Sequence, residues 1–529
     1  MNRNTRLLSL LMSVVILFAL IPFHAFAESD AEAHFWLISD THFVPAELCD
    51  DINDLQNVPE SELYHHATTQ GQMTLESEAI CRAFLKQFEN SDADALLVSG
   101  DLTNGTEQAH EAFAALLESV QSKTGKKVFV VPGNHDIHSP GSEGKVTDPA
   151  AFCEIYKNCG YGNALVKDEA SCSYTADLGD GYRLIAFDSC DYGEDNGYIT
   201  SERYKWLSAQ ISAAVKDGKE PVLMMHHSLL KHYAVQPMMK VQGSVISAFA
   251  SEFADAGVRY CFTGHIHAND ISSKTTFKGN KIYDIMTGSL ITYPNSFRDM
   301  ILSGESADIR TDYVRSIDVS YLPDGFSRNQ INMLKYSFSS YSEGFLRQGM
   351  SYWFAKNLGG PRFVTKMLGV KKDTAAYERL GKLMSYFGDA LALPIYGSEG
   401  SLENAAASIG KEFDPSEYDY TYEIVSSVVV DFFSGESIEN ERSEDLKLLY
   451  KCFFAALSYA ETGILTRTSV KEAVAAPEDH TSFFNLFKVI SFFNMAGNFM
   501  SAIIVPILMP FLRGIITDYS APSDLIVKL

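Results

Sequence analysis

Five short apolar runs in the first half of the chain each stop at residues that can hold a metal ion or a proton. LISDTH ends in Asp40 and His42, and LLVSGDLTN delivers Asp101. VVPGNHD delivers Asn134, His135 and Asp136. VLMMHHS ends in His226 and His227, and YCFTGHIH in His265 and His267. Short apolar runs closed by Gly or polar residues read as buried strands. In an α/β sheet the carboxyl ends of such strands are where ligand sites gather. Strand alternation then places both side chains of Asp40-x-His42, and both of His265-x-His267, on one side. Each signal is weak alone. A lone His after a strand is commonly a structural residue, and Asn134 fits a turn. Eight donors in one order, each at a strand end, point to one centre.

The segments between these runs have helical spacing, as in Glu76 to Glu89, Glu107 to Val120 and Ser201 to Val215. The alternation predicts an α/β domain with a largely buried sheet over residues 34–322. After Pro323-Asp324-Gly325 long helical patterns replace short strands, so residues 325–529 read as a mostly α-helical C-terminal domain.

The order Asp40-x-His42, Gly100-Asp101, Gly133-Asn134-His135-Asp136, His226 and Gly264-His265-x-His267 resembles the calcineurin-like metallophosphoesterases, in their bacterial phosphodiesterase-like branch. The resemblance covers about residues 34–290. It implies a β-sandwich flanked by helices and a site for two divalent transition metal ions (Mn, Fe, Zn or Ni). It implies that Asp40, His42, Asp101 and His267 hold one ion. Asp101 bridges to the second, held by Asn134, His226 and His265. It places His135 outside the metal ligands, facing the phosphate as the catalytic acid or oxyanion partner. The chemistry agrees. Mixed carboxylate, amide and imidazole ligands suit such metals, and a two-metal site acidifies a bridging water and clamps a phosphoryl group. Asp136, Asn104 and His227 are candidates for substrate or outer-shell roles, Asp136 having a structural role in the turn as its plain alternative.

The implied function is hydrolysis of a phosphodiester by attack of a metal-bridging hydroxide. Two alternatives stay open: a phosphomonoesterase acting on nucleotides or sugar phosphates, and an inactive scaffold or membrane-binding protein on this fold. Asn104 stands where purple acid phosphatases carry a tyrosine ligand, so no iron–tyrosinate centre is expected. The protein-phosphatase Asp-Arg-Gly element is absent, and Ser228 replaces the usual proline after His226-His227.

Charge and termini bound the setting. A formal net charge of -24 argues against nucleic-acid scaffold binding. Arg3 and Arg6, the apolar run Leu7 to Phe23 and Ala25-Phe26-Ala27 read as a signal peptide over residues 1–27, predicting a secreted or cell-envelope protein. Eight cysteines do not make a disulfide scaffold. Matching Leu178 with Leu184 across a hairpin puts Cys172 opposite Cys190 as one candidate bridge. Cys153–Cys159 is a second, with buried free thiols the alternative. Residues 344–372 are basic and aromatic without an acid, and 489–512 are uncharged. Either suits membrane contact, and together they suit a lipid-derived phosphate ester as substrate. The alternatives are pairing of the first with the acidic stretch 412–445 and burial of the second as a helical hairpin.

Overall fold

The computed structural model describes most of residues 32–358, the gaps being chiefly 50–69, 138–146, 193–196 and 234–245, together with parts of 371–456 and the backbone of 525–528. Residues 1–27, read above as a signal peptide, and residues 489–512 lie outside the described residues, as does most of 352–372 beyond the backbone of α7.

The strands are β1 (Glu32–Ile38), β2 (Ala95–Val98), β3 (Lys127–Val130), β4 (Val166–Lys167), β5 (Tyr174–Asp177), β6 (Tyr182–Ala186) and β7 (Glu220–Met224). They continue as β8 (Tyr260–Thr263), β9 (Asp270–Thr275), β10 (Lys281–Met286), β11 (Ser296–Ser303), β12 (Ser306–Tyr313) and β13 (Leu525–Lys528). They build a six-stranded sheet ordered β13-β12-β11-β1-β2-β3 and a seven-stranded sheet ordered β4-β5-β6-β7-β8-β10-β9. β1, β2 and β3 run parallel, as do β6, β7 and β8. Parallel strands are bridged by helices α1 (Ser77–Glu89), α2 (Glu107–Thr124), α4 (Ser201–Lys216) and α5 (Ala250–Asp255), with α3 (Pro149–Ile155) preceding β4.

The sheets pack face to face. Phe35 of β1 meets Phe262 of β8 edge-on at 5.3 Å between ring centroids. The next residue, Trp36, points the other way and packs on Phe84 and Phe88 of α1, the period-two alternation of a strand covered on both faces. On the far side, Ile185, Leu223 and Cys261 are buried against Leu207 and Ile211 of α4 and Phe253 of α5. The expected helix-flanked β-sandwich is the architecture found.

Helices α6 (Arg328–Tyr336), α7 (Phe338–Leu358), α8 (Leu402–Ala407) and α9 (Thr421–Ser434) follow. Leu334, Phe338 and Tyr341 join the sandwich core. β13 then returns to pair antiparallel with β12, a contribution from the end of the chain that helical periodicity gave no reason to expect. Among the described residues no helix is long and apolar enough to cross a membrane. Arg347, inside the basic segment, is paired with Glu343 at 2.8 Å and donates to Ser427 Oγ at 2.9 Å.

The disulfide expectations fail: all eight cysteines are free. The hairpin pairs Ala176 with Leu184, two residues away from the register that would align Cys172 with Cys190. Cys172 N–H instead donates to Asp188 Oδ2 at 3.1 Å. The thiols of Cys172 and Cys190 donate to different carbonyls, Pro149 O and Pro132 O. Cys159 Sγ accepts from Gln121 rather than facing Cys153.

Candidate metal centre and active site

Six non-glycine residues among those described have positive φ, and five are Asp40 (51°), His42 (36°), Asp101 (50°), His265 (73°) and His267 (64°). A left-handed backbone costs an L-residue roughly 1 kcal/mol or more. Such strain persists only where the surroundings enforce it. Here they do. β1 ends at Ile38 and β8 at Thr263, so both Asp-x-His and His-x-His lie past their strands. Strand alternation is therefore not what brings each pair together, as the sequence reading supposed. Left-handed turns do. Backbone bonds zip the first two turns: Asp40 N–H donates to Gly100 O and His42 N–H to Asp101 O, both at 3.0 Å. The Asp40 carboxylate accepts the His265 N–H at 3.0 Å. Gly133 lets the third turn come close, since a Cβ there would overlap the Asp101 carboxylate.

The turns bring the side chains into two groups that share Asp101: Asp40, His42, Asp101 and His267, and Asp101, His226 and His265. In the first, His267 Nε2 lies 3.3 Å from both His42 Nε2 and Asp40 Oδ1, and His42 Nε2 lies 3.7 Å from Asp101 Oδ2. In the second, His226 Nε2 is 3.2 Å from Asp101 Oδ2 and from His265 Nδ1, and 3.1 Å from Asn134 Oδ1. Ligands bound at about 2.0–2.1 Å in a tetrahedron stand roughly 3.3 Å apart. Both groups have that spacing before any ion is added. The donors are all of the carboxylate, imidazole or amide type that first-row divalent metals accept, so the residues fit such ions.

Residues 33–269 match the family described as calcineurin-like phosphoesterase. The chain carries a calcineurin-like phosphoesterase domain. It is similar to a probable cyclic nucleotide phosphodiesterase of Rhodococcus erythropolis, with 27% identity over 40% of this chain and 65% of the relative. It is 22% identical to a cAMP/cGMP dual specificity phosphodiesterase of Mycobacterium tuberculosis over 35% of this chain and 51% of the relative. A glycerophosphodiester phosphodiesterase of Enterobacter lignolyticus is 28% identical over 33% of this chain and 56% of that protein. The chain thus spans between half and two thirds of the length of these relatives.

Within the phosphoesterase domain the remaining candidates separate. His135 N–H donates to Asp101 Oδ1 at 2.9 Å, and its ring stands edge-on to that of His42 at 5.1 Å. Asn104 Oδ1 lies 2.9 Å from His42 Nδ1, turning the opposite ring nitrogen towards His267. His227 is buried beside the site, its Nδ1 2.9 Å from Ser189 Oγ and its ring 4.6 Å from that of His265. Asp136 belongs to neither donor group. Its carboxylate accepts the N–H groups of Gly133, Leu102 and Thr103 at 2.8 to 3.0 Å, clamping the Asn134 turn to the Asp101 turn.

Sequence reasoning missed the groups behind these turns. Buried His110 on α2 sits 2.9 Å from Thr103 Oγ1 and from Tyr156 OH, and 3.1 Å from the Asp136 carbonyl. His232, whose sequence position near His226-His227 suits either a substrate pocket or a surface or packing role, lies between Asp270 Oδ2 at 2.5 Å and Asp284 Oδ2 at 3.2 Å. Asp284 in turn accepts from Thr263 Oγ1, next to Gly264-His265, at 2.6 Å. None belongs to a motif: the partners of His110 come from two loops and the end of α3, and those of His232 from β9 and β10.

Electrostatics prepares the domain for cations. Burial, reinforced for His265 by neighbouring His226, pushes His42 down to about 4 and His265 down to about 3. Burial also opposes charge on His226, but the Asp101 carboxylate outweighs it and raises His226 to about 9. Burial opposes ionisation of Asp101 and Asp40, yet the imidazoles around them hold Asp101 well below the usual carboxylate range and lower Asp40. Ionised carboxylates and neutral His42 and His265 are the forms that ligate a metal.

Proposed function

We propose that the chain is an exported, dinuclear metal-dependent phosphoesterase that hydrolyses a phosphodiester. The observation that carries this reading is the pair of donor groups sharing Asp101, each at metal-ligand spacing. The three relatives are all named as phosphodiesterases, two for cyclic nucleotides and one for glycerophosphodiesters, which favours a diester over a monoester. Asp40, His42, Asp101 and His267 would hold one ion, and Asp101, Asn134, His226 and His265 the other. When bound, the two ions supply Lewis-acid charge to the phosphoryl group and lower the pKa of a water.

The chain's own residues supply the rest. Asn134 contributes a neutral oxygen, so the centre keeps more positive charge for an anionic substrate. His135 is held beside Asp101 by its own backbone N–H, and its ring would donate to a phosphoryl oxygen or to the departing alkoxide. Asn104 and Asp136 hold the His42 ring and the Asn134 turn in place. A lipid-derived diester belongs among the substrates to be tried, on the strength of the basic, aromatic segment 344–372. Export rests on residues 1–27.

The test is metal analysis of the purified protein with hydrolysis of bis(p-nitrophenyl) phosphate and p-nitrophenyl phosphate before and after chelation. The proposal expects about two metals per chain and a chelator-sensitive rate that is faster on the diester. A faster monoester rate selects the phosphomonoesterase alternative. Neither metal nor turnover after reconstitution with Mn²⁺ or Zn²⁺ rejects the enzyme reading.

A further inference from the structure

The family match stops at residue 269, but the packing around the histidine turn does not. Ala268 and Met286 are buried in one apolar cluster with Leu346 and Met350 of α7 and Val430 and Phe433 of α9. Asn269, two residues past His267, donates its N–H to the Phe433 carbonyl at 3.3 Å. The residue that caps α9, Gly435, has φ 78° and approaches Asn269 so closely that a Cβ would overlap the Asn269 carbonyl. Phe432 meets Tyr233 edge-on at 5.3 Å, on the segment that runs on from His226. The last turn of α9 thus touches both segments that carry the three histidines. α7 ties the assembly to further loops at this end of the sandwich: Ser342 Oγ donates to Asn295 Oδ1 at 2.6 Å and Tyr341 OH to Glu76 Oε1 at 2.7 Å.

His265 and His267 both hold left-handed backbone, which survives only if packing over-determines it. The sandwich side of the turn supplies Asp40, through the His265 N–H. The opposite side is supplied by the helical region. We infer that the C-terminal end of α9, through Phe433 and Gly435, is a positioning element of the metal centre, holding the His265–His267 turn in its ligating shape. The helical region is then part of the catalytic apparatus rather than an appended module. This rests on the reading of His265 and His267 as metal ligands.

The test uses the full-length chain and Mn²⁺ as the probe, with binding followed by calorimetry and the unfolding temperature of the chelated protein measured alongside. Phe433→Ala and Gly435→Ala are expected to weaken Mn²⁺ binding by roughly 10- to 100-fold, the loss typical when the partners that orient metal ligands are removed. Phe433→Leu, which keeps apolar volume, is expected to recover most of it. Phe432→Ala, at a half-buried position, gives a milder loss in the same direction and guards against a variant that fails to fold. If wild type binds two Mn²⁺ and the variants bind them equally well, the positioning role is wrong while the metal reading stands. A lowered unfolding temperature with unchanged Mn²⁺ affinity assigns Phe433 to packing alone and also overturns the inference. If wild type binds no Mn²⁺, the metal reading fails and the inference falls with it.

Discussion

Asp101 Oδ2 lies 3.2 Å from His226 Nε2, and the same oxygen is 3.7 Å from His42 Nε2. One carboxylate oxygen therefore faces a ligand from each of the two groups, while the other is occupied by the His135 N–H. Replacing Asp101 by Asn removes the charge from both groups at once with little change in shape. Asp101→Asn should lose most of the metal from both positions and lower diester turnover by at least about 100-fold. Metal content by mass spectrometry, read together with the rate, checks it. Loss of a single ion per chain would show that Asp101 serves one position only.

His135 belongs to neither donor group, and its backbone N–H is tied to Asp101. His135→Ala keeps that bond. It should leave metal content near that of wild type and lower kcat by roughly 10²- to 10⁴-fold, the usual range for a general acid or oxyanion donor. The deficit should be smaller on a substrate whose leaving group needs no proton, such as a p-nitrophenyl ester. Collapse of the metal content in His135→Ala would make His135 a ligand and remove its proposed role.

The candidate donor set was readable because each member follows a short apolar run that reads as a buried strand, and several follow a glycine. What was not readable is how they converge. The left-handed φ of Asp40, His42, Asp101, His265 and His267 is imposed by bonds between turns 60 to 225 residues apart, and no local propensity announces it. The hairpin register failed for a similar reason. Leu178 and Leu184 are both apolar and buried, so pattern matching could not choose between pairing Leu178 with Leu184 and the observed pairing of Leu178 with Tyr182. His110, His232 and Asp284 lie in ordinary helix, loop and strand contexts and acquire meaning only from partners across the fold. The contact of Gly435 with Asn269 is of the same kind.

The clamp formed by Asp136 gives a prediction that decides between its two readings. Its carboxylate accepts three buried backbone N–H groups from two turns, and an orphaned buried donor costs about 1–3 kcal/mol. Asp136→Ala should therefore destabilise the chelated protein by about 3 kcal/mol or more, measured by urea unfolding. Metal affinity should fall with it, because the Asn134 and Asp101 turns lose their common anchor. If Asp136→Ala keeps its stability and loses only turnover, Asp136 acts on the substrate instead.

Glu76 predicts a pH dependence that is independent of the metals. It is fully buried at the start of α1, accepts from Tyr341 OH of α7 at 2.7 Å, and has no cation within bonding reach among the described contacts. Burial therefore raises its pKa from 4.5 to about 7, against the smaller opposing effect of the Tyr341 bond. Because the folded pKa lies above the unfolded one, the stability it allows is fully present below pH 4.5. It is lost as pH rises through about 7. A shift of that size corresponds to about 3 kcal/mol by the upper end of the range. Glu76→Gln keeps an acceptor for Tyr341 without a titratable proton. The variant should be more stable than wild type at pH 8 and should show a flatter stability profile between pH 5 and pH 8 in the presence of chelator. Urea unfolding at several pH values measures both. Parallel profiles for the two proteins would mean that Glu76 is already solvated or paired in solution, and that the α7 contact does not hold a neutral carboxyl.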